Sequence, residues 1–469
     1  MALAETAAAP DPSLARIAFG PERVPERIAV LDALRGFAVL GICLRNVFVF
    51  GMPNSAYAVP FLWGISEQAN VISWTLVEIF VDGSMRALFS MLFGASALLI
   101  LSGWQGVGLG MSGPSREAAV PDIQAIDRYF RRLLILMGLG MVHGYILLWP
   151  HDVLFPYGLL GFFLFPLRNL SWRALMGLSL GIMLLTAMAN IPVPDDADSA
   201  DGPVQAQVEA VPDVPPSVAA QPQAGAPAAG DETAGVEPET DIELAALFQE
   251  WDMDILLHLG GYRELFAEYA EKTFEQQTTE LYKAEIADLG ALMLLGMALL
   301  KLGVFTGQRS TRFYIVLAIV GYGSGLLVNL AETIPALGFE APFDWDVSWA
   351  PITYDLGRTL TGLAHLSAIV LIVKLNVFPI AIRFLAAAGR MALTNYLTQT
   401  LFFIFLFYGF GAGQYAAFEH YQLLLLALAL GIGQIIASRI VLAHLRQGPL
   451  EWLVASLCRT KYETRPLTS

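Results

Sequence analysis

The amino-acid sequence predicts an all-α fold: a polytopic transmembrane helical bundle of about 10 spans, with a half-helix and extracytoplasmic surface helices. Three observations predict it. The 469 residues are 56% hydrophobic and 15% charged, with a mean hydropathy of +0.57, whereas a soluble domain carries about 25% charged residues. So much apolar surface needs lipid as its solvent. Apolar runs near the roughly 20 residues that a helix needs to cross hydrocarbon recur along the chain. The connecting loops are by turns rich in Lys/Arg and devoid of them, the pattern of a chain threaded repeatedly through a membrane.

Residues 1–27 are Ala/Pro-rich and lack a basic segment followed by an apolar run, so they read as a cytoplasmic N-terminal segment rather than a cleaved signal. An N-terminal membrane bundle, 28–192, holds apolar runs at 29–50, 85–103, 128–149, 151–168 and 172–192. The shorter 71–81 run stops at Asp82-Gly83 and predicts a half-helix leading into the next span. Segment 193–241 follows, Ala-, Pro- and acid-rich with almost no large apolar residues. It cannot offset its ordering entropy by burial, which predicts a disordered extracytoplasmic loop. The net charge of −15 belongs to this region: fifteen acidic residues lie between Asp195 and Asp254, with no Lys or Arg from 174 to 262. The amphipathic pattern at 242–283 predicts helices lying on the outer leaflet. A C-terminal bundle, 284–446, carries runs at 284–306, 312–336, 352–375, 384–410 and 421–445, and 447–469 is a cytoplasmic tail. Basic residues cluster in every second loop, and 51–68, 193–260, 337–350 and 411–420 have none. This alternation places both termini in the cytoplasm. Cys43 and Cys458 fit no disulfide framework or metal signature, and no metal site is expected.

Ionisable groups inside spans are costly and therefore functional candidates. Asp32 and Arg35, at the start of the first span, share a helix face and can pair, while Arg45-Asn46 lies deeper. A buried guanidinium needs an anionic partner or a wet cavity. Asp82 and Arg86 flank Gly83 at the half-helix break, and broken helices at membrane depth line cavities. His143, His151, Asp152 and Tyr157 surround the turn between the third and fourth spans, and a His with a carboxylate is the minimal general base. In the ninth span Arg390, Asn395, Tyr396 and Gln399 form a polar stretch, with Asn395 and Gln399 stacked at i, i+4. Plain readings stand beside each: ion pairs at helix ends, packed histidines, and interhelical hydrogen bonds of around 1 kcal/mol. No phosphate-binding glycine loop, zinc signature or nucleophile elbow is present.

In this order, Leu31–Gly36 with Asn46, Leu88–Gly94, the His143…Trp149…Asp152-Val153-Leu154…Tyr157 block, Gly389–Gln399 and Gly448–Trp452 resemble the YeiB-like family, domain of unknown function 418. The resemblance covers nearly all of the membrane body, and the tail motif is its most specific part. The Leu-Asp-x-Leu-Arg-Gly start also resembles the wider transmembrane acyltransferase-like group, including acyltransferase-3 proteins and heparan-α-glucosaminide N-acetyltransferase. Asn46 stands where acyltransferase-3 proteins place a His, and Arg86 stands in for a Lys that the family tends to carry near Ser84.

The resemblance implies an enzyme moving an acyl group from a cytoplasmic acyl-CoA-type donor to an extracytoplasmic or lipid-linked acceptor. His143 and Asp152 are then the catalytic pair, with Asp32, Arg35, Arg45, Asn46, Asp82, Arg86, Tyr157, Arg390, Asn395 and Gln399 binding substrate in one cavity shared by spans 1, 2, 3 and 9. A transporter for a small anionic or amphipathic substrate and a non-enzymatic scaffold are the competing readings. Membrane lipids and a second copy of the chain are the expected partners, nucleic acid is not, and a bacterial inner membrane is the expected location.

Overall fold

A computed structural model describes residues 26–101, 123–189, 238–337 and 350–459. The N-terminal segment to residue 25, residues 193–237 of the acidic loop and the tail from 460 lie outside the described residues. Within them the chain is helical, without strands. In chain order the helices are α1 (Glu26–Gly51), α2 (Asn54–Ala58), α3 (Glu67–Phe80), α4 (Ser84–Leu101), α5 (Ile123–Met141), α6 (Leu154–Leu167), α7 (Trp172–Ala189), α8 (Pro238–Leu259) and α9 (Tyr262–Glu275). After these come α10 (Ile286–Lys301), α11 (Thr311–Ala336), α12 (Ala350–Lys374), α13 (Pro379–Arg390), α14 (Ala392–Phe407), α15 (His420–His444) and α16 (Pro449–Leu457). Two π-helical runs join this set: Val142–Ile146 extends α5, and Gln276–Glu285 links α9 to α10.

Six described helices or helical runs are long and apolar enough to cross a membrane: Val30–Gly51, Glu67–Leu101, Trp172–Ala189, Thr311–Ile334, Thr353–Lys374 and His420–His444. Leu154–Leu167 and Ala392–Phe407 are apolar but shorter. α5 opens with Asp127, Arg128, Arg131 and Arg132, and α10 gains length only through the π-helical run before it. Large apolar side chains point outward along α15 at Leu425, Leu428, Ile432, Ile436 and Ile440, and along α7 at Leu180, Leu184 and Leu185. Those i, i+3/i+4 stripes face the surroundings, as expected of helices solvated by lipid. The chain is a multi-pass membrane protein.

α1 is the central post. Its first third packs against α13, and a side chain built on Gly36 would sit 2.1 Å from the Leu385 carbonyl, one on Gly389 only 1.7 Å from that of Asp32. The two backbones therefore touch, antiparallel, as small residues permit between membrane helices. The apolar stretch expected as one span at 384–410 is thus two elements. α13 begins at Pro379, which is suited to a first helical turn, and Met391 (φ −111°, ψ 27°) breaks the path before α14. α14 starts without a side-chain cap of its own. Glu451 of α16 supplies one: its carboxylate accepts the Leu393 and Thr394 N–H groups at 2.8 and 3.1 Å and the Thr394 hydroxyl at 2.6 Å.

At the other end of α1, α2, α8 and α9 form a cap. Trp251 and Glu250 of α8 both bond Ser55, at 3.0 and 2.9 Å, and the Gly409 N–H donates to the His258 carbonyl at 2.9 Å. Beneath it lies an aromatic core of Phe48, Phe50, Trp149, Phe403, Phe407 and Tyr408.

Candidate membrane-embedded site

The wider π-helical turn at Val142–Ile146 leaves α5 with His143 pointing into the bundle, fully buried. Single π turns recur at functional sites. His143 Nδ1 lies 2.6 Å from Asp152 Oδ1 and Nε2 lies 2.8 Å from Thr400 Oγ1. An ionised carboxylate only accepts, so with the ring neutral the Nδ1 proton faces Asp152 and Nε2 accepts the Thr400 hydroxyl proton. The second Asp152 oxygen takes the Phe155 N–H at 2.8 Å, which fixes the carboxylate to the start of α6. Leu148, wholly buried with φ +50°, turns the chain sharply between the two. Such a conformation is unusual for a γ-branched residue and is held by its surroundings. It lets the Trp149 N–H bond the His143 and Gly144 carbonyls and its indole donate to Tyr396 Oη at 3.2 Å. The Tyr396 ring meets His143 edge-on at 5.0 Å.

A second group lies around the α3–α4 break. Gly83 adopts φ +60°, and a β-carbon there would meet Tyr354 and Arg358 at 2.7 and 2.9 Å. Asp82 accepts Arg45 Nε at 2.7 Å and Tyr354 Oη at 2.8 Å. The Arg45 guanidinium also lies 4.1 Å over the Tyr57 ring, and Tyr57 donates to Glu78 at 2.5 Å. Arg86 pairs with Asp288 and Glu285 at 3.4 and 3.6 Å, Arg358 pairs with Asp288 and Asp355, and Tyr157 shares a 2.6 Å hydrogen bond with Ser90. The Arg45 and Arg86 side chains keep 27% and 35% exposure although the helices enclose them, so they border open space inside the bundle.

At the cap, a cavity of about 270 Å³ is lined by residues that include Trp149, His151, His258, Tyr269, Lys272 and Tyr415. The walls of the cavity, and then the positive charge of Arg45, Arg86 and Lys272, push the His151 pKa down to about 4, although the residue keeps an exposed face. Burial also lowers the pKa of His258, against the opposing pull of Asp254.

The residues expected in one cavity are thus distributed. Arg45, Asp82 and Arg86 share the charged group, while His143 and Asp152 form the buried line with Thr400. Asp32 pairs with Arg35 at 3.0 Å at the α13 end, where Arg35 also reaches Ser96 and Arg390 bonds the Arg446 carbonyl. Asn46 is half-buried, a helix step around from Arg45. Asn395 bonds Ser438 at 3.1 Å and Gln399 bonds Gln434 at 2.8 Å, so both join α14 to α15 instead of lining the site. Thr400, Tyr354, Glu285, Asp288 and Glu78 were not singled out by the sequence. Of these, Glu285 and Asp288 carried a signal: two carboxylates three apart opening an apolar run.

The family model for the DUF418 protein family, described as of unknown function, matches residues 299–461. The chain is 28% identical to the uncharacterized protein YeiB of Escherichia coli (strain K12) over 433 residues, 91% of this chain and 95% of that one. It is 23% identical to the uncharacterized protein YxaH of Bacillus subtilis (strain 168) over 444 residues, 92% of this chain and 94% of the other. No solved structure matches. With a DUF418 match across its C-terminal third and similarity to YeiB along nearly its whole length, the chain is similar to the YeiB-like DUF418 proteins.

Proposed function

We propose that this protein is a membrane-embedded acyl-transfer enzyme, passing an acyl group from a thioester donor such as an acyl-CoA to a hydroxyl or amine acceptor. One observation carries the reading: His143 holds a fixed carboxylate on one nitrogen and a hydroxyl on the other, inside the bundle. Asp152 keeps the imidazole in the tautomer whose Nε2 takes a proton, the requirement for a general base. The Arg45 and Arg86 charges are already met by carboxylates, so they shape the chamber. Arg45 Nη1 and Arg358 Nε and Nη1 are buried with no hydrogen-bond partner and are the donors with capacity left for a substrate carbonyl or phosphate. Asp32, Arg35 and Arg390 mark the donor's entrance from the cytoplasm, with Tyr157 and Asn46 beside its route. Asn395 and Gln399 hold α14 in register.

The test is label transfer. Purified chain in nanodiscs receives [14C]acetyl-CoA or [14C]palmitoyl-CoA with bacterial lipid and lipid-linked glycan extracts. Label should pass to an acceptor, and His143→Ala should lower the rate by about 100-fold or more. A wild-type protein that transfers no label from either donor contradicts the reading.

A transport reading has its own support. Asp82, Glu285, Asp288 and Asp355, with Glu78 close by, outnumber Arg45, Arg86 and Arg358 in the chamber, an imbalance that suits a cation or proton path. Solute uptake into proteoliposomes without any covalent product favours it.

A further inference from the structure

We infer that Thr400 is the nucleophile of the acyl transfer proposed above, on which this inference rests, and carries the acyl group as an ester between donor and acceptor. A threonine in a helix ordinarily returns its hydroxyl to the carbonyl three or four residues back. Thr398 does so, donating to the Thr394 and Asn395 carbonyls at 2.8 and 3.0 Å, and Thr186, Thr278 and Thr333 do the same in other helices. The Thr400 hydroxyl instead meets His143 Nε2 at 2.8 Å, across 257 residues of sequence. With Asp152 at 2.6 Å on the far side of the ring, the line is carboxylate, imidazole, hydroxyl, the geometry that activates an otherwise weak nucleophile. Each member comes from a different element, and each is held: Asp152 by the Phe155 N–H, His143 by the π turn, Thr400 by the α14–α15 hydrogen bonds at Asn395 and Gln399.

The chemistry balances without a further reagent. His143 Nε2 takes the Thr400 proton as Oγ1 attacks the thioester carbonyl. The C–S bond breaks, and the thiolate leaves with the proton from His143. The acceptor hydroxyl or amine then gives its proton to His143 and attacks the Thr400 ester. The C–Oγ1 bond breaks and Oγ1 recovers the proton. Burial also suits an ester intermediate: Thr400 is 2% exposed and His143 fully buried, so water is kept from the carbonyl. The cap cavity is lined by Trp149, whose indole bonds the Tyr396 that lies against His143.

The experiment uses the full chain in nanodiscs, pulsed with [14C]acetyl-CoA or [14C]palmitoyl-CoA without acceptor, acid-quenched in the first turnover and mapped by peptide mass spectrometry. Wild type should carry alkali-labile acyl mass on the Thr400 peptide, chased off by acceptor extract. Thr400→Ser should retain labelling, and Thr400→Val should lose it with at least about 100-fold of the transfer rate. If Thr400→Val does not fold, the wild-type and Thr400→Ser peptides decide alone. Acceptor labelling in wild type with no acyl mass on Thr400 overturns this inference and leaves the acyl-transfer reading intact. Thr400→Val at the wild-type rate beside a dead His143→Gln does the same. No transfer and no labelled peptide in wild type overturns both.

Discussion

Asp152 has two acceptor oxygens and uses both, one for His143 and one for the Phe155 N–H. Asp152→Asn keeps an acceptor oxygen for the Phe155 N–H and turns an amide N–H toward Nδ1, so the ring takes the tautomer that carries its proton on Nε2 and can no longer accept one there. The melting temperature should change little while the transfer rate falls by about 10⁴-fold. A variant that transfers label at the wild-type rate means that the carboxylate does not set the tautomer. Gly389 makes a different demand: a β-carbon there would lie 1.7 Å from a backbone oxygen, which no rotamer can relieve. Gly389→Val should therefore cost about 3 kcal/mol or more by overpacking, whereas Gly177→Ala, with open space around it, should be neutral or slightly stabilising in the same melt. His143, Asp152 and Asn395 were legible because ionisable and amide groups stand out against apolar runs. Thr400 was not, since a threonine in a span reads as ordinary helix.

Element boundaries show where local patterning stops informing. Apolar runs mark α1, α7, α11, α12 and α15, but the break at Met391 is silent because Met is a good helix former. The reason for the break lies in the α1–α13 contact and in Glu451, sixty residues downstream of Met391. Removing that cap with Glu451→Ala should cost about 1–2 kcal/mol and speed amide exchange at Leu393 and Thr394 above all. Equal exchange in both proteins contradicts the capping role. The cap end carries a pH dependence. His258 bonds Tyr269 at 2.7 Å, stacks on Tyr415 at 4.0 Å and neighbours Asp254 and Lys272. Burial lowers its pKa below the usual 6.5, so the unfolded form binds the proton more readily. The stability it contributes is present above about pH 6.5 and is lost as pH falls below that value. The protection of amides in Tyr262–Glu275, taken against the intrinsic exchange rate at each pH, should fall between about pH 7.5 and 5.5, and His258→Gln should flatten the change.

For the whole molecule, the ion pairs in the chamber join residues far apart in the chain, Arg45 to Asp82 and Arg358 to Asp288, which no local pattern reveals. Loop charge, by contrast, gives an expectation for the bundle's orientation from local composition alone. On the expectation of about ten crossings with both termini in the cytoplasm, cysteines at Glu268→Cys and Leu375→Cys should react from opposite faces. A membrane-impermeant maleimide added to intact cells should label only the first, and labelling of both would contradict the threading. The proposed role of His143, with Asp152 on one nitrogen, is to drive covalent acyl transfer inside this bundle. Its most direct test is the rate at which [14C]acyl-CoA label reaches an acceptor in nanodiscs, wild type against a His143→Ala protein of matched melting temperature. Wild type should transfer label, and the variant should lose about 100-fold or more of the rate. Equal rates in the two proteins, or no covalent product from wild type, would contradict it.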